Sequence, residues 1–128
     1  MLLACAAPRF RFGTADHLPH GVGVGCGMAA LVRYNVYGDP ETTRVWAPLF
    51  GINCPADADM TEVGQKLVDK MDALQKNIGM KSMKELGIPE SFCDIAADNI
   101  SRDKKWTIVP NPPDFELLRQ SMHAAWDY

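Results

Sequence analysis

Residues 59–78 place the strongest constraint on the fold. Met60, Val63, Leu67, Met71, Leu74 and Ile78 recur at intervals of three and four, while Glu62, Lys66, Lys70 and Lys76 fall on other faces. This is the period of an amphipathic helix, and such a helix is held in water mainly by packing its apolar stripe against a neighbour. Asp59 stands at the N-cap position with Glu62 three residues on, an Asp version of the capping box, and Gly79 can take the left-handed conformation that ends a helix. The rest of the chain must therefore supply complementary apolar faces.

Three further segments offer them. Asp39-Pro40-Glu41 is a start signal, because Asp can cap free N–H groups and Pro at the first helical position has no N–H to leave unpaired; Val45, Trp46, Leu49 and Phe50 then make one apolar face. Ile88-Pro89-Glu90 opens a segment in the same manner, with Phe92, Ile95, Ala96 and Ile100 at helical spacing. Asn111-Pro112-Pro113-Asp114 breaks the chain before Phe115, Leu118, Met122 and Ala125, again at helical spacing. Between 20 and 35, Gly21, Gly23, Gly25 and Gly27 alternate with Val22, Val24 and Cys26, and the spacing turns helical from Met28. We read one helix whose glycines permit close packing, with a short strand over 21–26 as the alternative. Residues 1–19 show no coherent period and read as an irregular arm; 20–128 read as one all-α domain, a compact bundle of about five helices.

Composition removes several classes of function. At 128 residues and 47% hydrophobic, the chain can build one core but cannot hold a nucleotide domain as well as a catalytic one. A net charge of −3 gives no basic field for a phosphate backbone, and Arg102, Lys104 and Lys105 are interrupted by Asp103, so nucleic acid is not expected as a partner. Cys5, Cys26, Cys54 and Cys93 form no CxxC pair, which suits buried free thiols in a reducing cytoplasm. The opening Met-Leu-Leu-Ala-Cys lacks the charged region and the apolar stretch of about 7–15 residues that a lipoprotein signal needs. No apolar run approaches the roughly 20 residues that cross a bilayer, so no membrane partner is expected.

Few residues carry recognisable chemistry. Gly21-Val-Gly23-Val-Gly25 lacks a third glycine at the offset a dinucleotide loop requires and follows no expected strand, and no Walker lysine, GxSxG elbow or HExxH pair is present. His17 and His20, three residues apart at the start of the first helix, could turn two imidazoles toward one metal ion, although a catalytic metal normally takes three or more protein ligands. The remaining histidine, His123, lies beside no carboxylate pair of ligand spacing and reads as a helix-surface or boundary residue. Cys93, at the start of a helix, reads as a packed thiol because no base or cation is evident next to it.

Leu18-Pro19-His20-Gly21-Val22-Gly23-Val24-Gly25, followed by Met28-Ala29-Ala30-Leu31-Val32-Arg33-Tyr34-Asn35, resembles the signature of the iron-dependent (group III) alcohol dehydrogenases, in which a His-Gly pair opens a helix that ends in Arg-Tyr-Asn or Arg-Phe-Asn. The resemblance continues through the helix after Tyr37-Gly38-Asp39, the amphipathic helix, Ile78-Gly79-Met80, Leu86-Gly87-Ile88-Pro89 and Asn111-Pro112, and so covers residues 17–128. It implies the carboxy-terminal helical domain of an enzyme whose other domain binds NAD(P). A divalent metal, usually Fe²⁺, would be held between the two by one Asp and three His, and would polarise an alcohol or aldehyde oxygen. By this resemblance His20 is the last ligand of the set.

The chain departs from that pattern upstream, where the family's further ligand histidine is replaced by Ala6 and Phe10, with His17 the available substitute. The Asp, the remaining His and the cofactor domain would precede Met1, so the chain reads as a truncated product or a fragment, with no catalytic residue of its own. We expect it to be inactive in isolation, to bind metal weakly, and to expose an apolar patch around Val22, Val24 and Met28 that promotes association between copies. The alternative is a non-enzymatic helical module that binds a partner helix.

Overall fold

The computed structural model describes residues 19–102 and 114–128. Among these the chain forms five helices and no strand: α1 (His20–Gly38), α2 (Pro40–Leu49), α3 (Met60–Asn77), α4 (Phe92–Ser101) and α5 (Phe115–Ala124). The all-α bundle expected from the sequence is what is found. The arm expected over residues 1–19, apart from Pro19, lies outside the described residues, as do Asn111, Pro112 and Pro113.

The glycine-rich segment is helix and not the alternative strand. α1 is apolar on nearly every side because it is the central element, touching α2, α3 and α5. Its first half packs Cys26, Ala29 and Ala30 into a core with Phe92 and Ala96 of α4 and Leu118 of α5. Its second half packs Val32 and Val36 into another core with Ala47 of α2 and Val63 and Leu67 of α3. Leu67 and Leu118 are fully buried, each contributing about 2 kcal/mol by removal of apolar surface from water.

Asp39 makes the corner between α1 and α2. Its backbone N–H donates to Asn35 O at the end of α1, and its carboxylate accepts from Glu41 N and Thr42 N at the start of α2. The buried Thr43 hydroxyl fastens the corner by donating toward Val36 O, 3.2 Å away. Asp59 and Asp114 cap α3 and α5 in the same way, through Thr61 N and Glu116 N, while Glu62 pairs with Lys66 one turn on.

The faces that meet neighbours differ from the expected stripes. On α3 the stripe ends early: Leu74 and Ile78 are exposed, and Gln75 is buried in their stead because its Nε2 donates to Gly25 O at 2.7 Å. On α2, Val45 and Leu49 face solvent, and Thr43 and Ala47 are the buried pair, with Trp46 and Phe50 at the margin. On α4, Ile95 is exposed and Cys93 and Ala97 are buried. A period of 3.6 drifts around a helix, so an i, i+3, i+4 pattern allows two adjacent faces, and the neighbour selects one.

Candidate functional site

Pro19 and His20 form the start of α1. Pro19 is extended (φ −54, ψ 140) and has no side-chain cap, but its carbonyl accepts from Val22 N and Gly23 N and so closes the first turn. His20 is the first helical residue. This fixes the direction of its backbone, while its ring lies outside the described side chains, as does the whole of His17.

The first turns of α1 are only partly open. Val22 and Val24 are half-buried and Met28 is exposed, so the expected apolar patch is narrower than the sequence suggested. The glycines here are not equivalent. A Cβ on Gly25 would overlap the Met80 methyl group, so the loop after α3 approaches the backbone itself, whereas a Cβ on Gly21 would meet nothing.

At the other end of α1 the Arg33-Tyr34-Asn35 run has duties within the fold. Arg33 is buried and grips Asp72 of α3 with two parallel bonds, Nη1–Oδ1 at 3.0 Å and Nη2–Oδ2 at 2.6 Å. Its guanidinium also lies 5.9 Å from the centre of the Tyr128 ring, and Asn35 Nδ2 returns to Leu31 O. Tyr34 packs against the first core, and burial, then the Asp114 charge, pushes its hydroxyl pKa up. Burial likewise raises the Tyr128 hydroxyl to about 12.

Cys93 is the packed thiol that the sequence suggested. It is fully buried at the start of α4 and its Sγ donates to Met122 O, 3.5 Å away. Burial first, then the charges of Glu90 and Asp94, push it to about 11, the opposite of an activated thiol. Cys26, also buried, is pushed to about 11 by the same loss of water.

His123 corrects the sequence reading. It has a carboxylate pair beside it after all: Glu90 Oε1 lies 3.1 Å from Nδ1 and Asp94 Oδ1 lies 3.0 Å from Nε2. Glu90, just before α4, and Asp94, in its first turn, are four positions apart, a spacing visible in the sequence, but their meeting with a residue 29 positions downstream of Asp94 is a product of α4 packing on α5.

Among the described residues, no group of three or more His, Cys, Asp or Glu is arranged to hold a metal ion. At His123 both ring nitrogens lie at hydrogen-bond distance from the carboxylates, which leaves no room for an ion between them. Among the described residues, no helix is long and apolar enough to cross a membrane.

No protein-family model matches the chain, and no solved structure matches it. Among curated proteins it is similar to the bifunctional aldehyde-alcohol dehydrogenase AdhE of Escherichia coli K12, 24% identical over 115 residues that cover 77% of this chain, and equally to AdhE of Escherichia coli O157:H7. The chain spans 13% of the length of these relatives. It is thus distantly similar to a domain-sized part of an aldehyde-alcohol dehydrogenase.

Proposed function

We propose that this chain is the helical metal-binding part of a metal-dependent, NAD(P)-linked alcohol dehydrogenase or aldehyde reductase. The observation that carries the reading is the run from Leu18 to Asn35: a His-Gly pair that opens a helix and an Arg-Tyr-Asn that closes it, within a chain distantly similar to AdhE. On this reading His20 offers one ligand to Fe²⁺ or another divalent ion, and the NAD(P) site and the other ligands belong to other parts of the enzyme. One imidazole does not hold such an ion against water, so the 128-residue polypeptide alone is expected to retain no stoichiometric iron and to catalyse no turnover.

The test is a chimera in which residues 17–128 replace the aligned stretch of Escherichia coli AdhE. Alcohol oxidation and bound metal should be retained, and both should be lost on His20→Ala with the helical content unchanged. A folded chimera whose metal content and turnover ignore His20→Ala would overturn the reading. Anaerobic iron loading of the isolated chain with an NAD(P)H-linked aldehyde assay is the companion measurement, and stoichiometric iron with turnover there would defeat the claim of inactivity. The second reading, a helical interaction module, draws on Leu49, 78% exposed, and Ile78, 68% exposed. Its mark would be partner binding that survives His20→Ala.

A further inference from the structure

His123 lies in the last turn of α5, and its ring reaches the segment that opens α4. Both of its nitrogens lie within 3.1 Å of a carboxylate oxygen, of Glu90 on one side and Asp94 on the other. An ionised carboxylate only accepts hydrogen bonds, and a neutral imidazole carries a single N–H. The two contacts are hydrogen bonds together only when the ring carries both protons. Among the described residues, the charged groups around it are Glu90 and Asp94 from the α4 side, and Arg119 and Glu116 from α5 itself. Arg119 Nη1 lies 3.4 Å from the same Asp94 oxygen, while its Nε and Nη2 hold Glu116 at 2.9 and 2.8 Å. Next to this cluster, Cys93 bonds the carbonyl of Met122, so residues adjacent to both arms of the contact are also joined inside the core.

We propose that His123 is a proton-controlled clasp, whose doubly protonated ring fastens the end of α5 to Glu90 and Asp94 at the start of α4 and whose loss of one proton loosens that end. With one proton gone the ring bonds one carboxylate, and its bare nitrogen faces the other. Lone pairs then oppose each other at hydrogen-bond distance, and the end of α5 relieves this by moving off α4. The ring is partly exposed, with 27% of its side-chain surface open, so solvent protons reach it without unfolding.

The neighbours favour the closed state. The hydrogen bond to Asp94, then that to Glu90 and the two negative charges, outweigh partial burial and raise the proton affinity of the ring above the ordinary histidine value of 6.5. For a group whose folded value is raised, the stabilisation is complete below the unfolded value and is lost as pH rises through the folded one. The clasp is therefore closed in mild acid and opens on the alkaline side of 6.5.

Histidine-ring NMR and amide hydrogen exchange on the 128-residue chain, from about pH 6 to about pH 8.5, test this. The ring should titrate above the ordinary histidine value, and Glu90→Gln and Asp94→Asn should each move its midpoint down. Amides of residues 115–124, corrected for intrinsic rate, should lose protection several-fold as the ring deprotonates, and His123→Gln should abolish that step. An unchanged midpoint in both carboxamide variants, or the same exchange step in wild type and His123→Gln, would overturn the proposal. Should His123→Gln fail to fold, Glu90→Gln carries the comparison: its exchange step must move with its ring midpoint, and a step that stays in place defeats the clasp.

Discussion

Arg33 and Asp72 lie 39 residues apart in sequence and meet through two parallel hydrogen bonds, with the guanidinium almost wholly withdrawn from water. The same Arg33 that ends the helix signature thereby pins α1 to α3. Planar bidentate geometry makes this contact specific to Arg, since Lys presents a point charge that cannot satisfy both carboxylate oxygens in that fork.

Removing one partner strands the other charge in a site with little water. Asp72→Ala should lower stability by about 3 kcal/mol, read as the midpoint of urea unfolding at constant slope. The double variant Arg33→Met with Asp72→Leu should recover most of that loss. A single variant within error of wild type would show that the pair contributes nothing.

Gly64 and Gly21 should respond to alanine in opposite directions. A Cβ on Gly64 of α3 would come within 2.5 Å of Val36 Cγ1 of α1, and a β-branched side chain in a helix has little rotamer freedom to retreat. Overpacking should exceed the gain in helix propensity and leave Gly64→Ala about 1–2 kcal/mol less stable. Gly21→Ala meets open space and should gain about 0.5–1 kcal/mol. Thermal unfolding of the two variants side by side decides it.

The buried thiols should be slow. With Cys26 and Cys93 pushed to about 11 from an ordinary 9.0, their thiolate fraction at neutral pH falls about 100-fold, before any effect of burial on access. Timed alkylation with mass spectrometry should label half-buried Cys54 well ahead of both. The same shifts set an alkaline limit: below 9.0 the thiols are neutral whether the chain is folded or not, and the cost of burying a thiolate destabilises the fold as pH climbs from 9.0 toward about 11. Early labelling of Cys93 would show that the start of α4 opens readily.

Asp39 sets an acid limit. Its carboxylate is held below the ordinary 3.8, first by the Thr42 hydroxyl and then by the Thr42 and Glu41 amides. A lowered carboxylate value stabilises the fold above 3.8, and that stabilisation fades as pH falls through the lowered value. Asp39→Ala should therefore cost stability near neutral pH and less in strong acid, a dependence that circular dichroism melts across the acid range would reveal.

Much of the fold was legible along the chain because its signals are local. Asp39, Asp59 and Asp114 cap helices where the sequence placed starts, and Gly79 takes a positive φ of 77° where a stop was expected. Which residues on each helix face inward was less legible. Leu74, Ile78, Val45 and Ile95 fit their stripes and yet are exposed, because a buried polar bond, that of Gln75 to Gly25 O, and the positions of neighbouring helices chose an adjacent face. The candidate site divides the same way. His20 at the start of a helix follows from Pro19 and the residues after it, whereas the carboxylates at His123 could not be read from its neighbours in sequence.

The sequence by itself determined an all-α chain of about five helices and the Asp39 and Asp59 starts of two of them, since each depends on hydrogen bonds and steric limits within a few residues, while it left the glycine-rich segment open between helix and strand. Tertiary structure alone decided that α1 serves two cores, that Arg33 finds Asp72, that Gly64 is the close approach to Val36, and that His123 closes on Glu90 and Asp94. These contacts join residues far apart in the chain, and their geometry exists only once desolvation has brought the helices together.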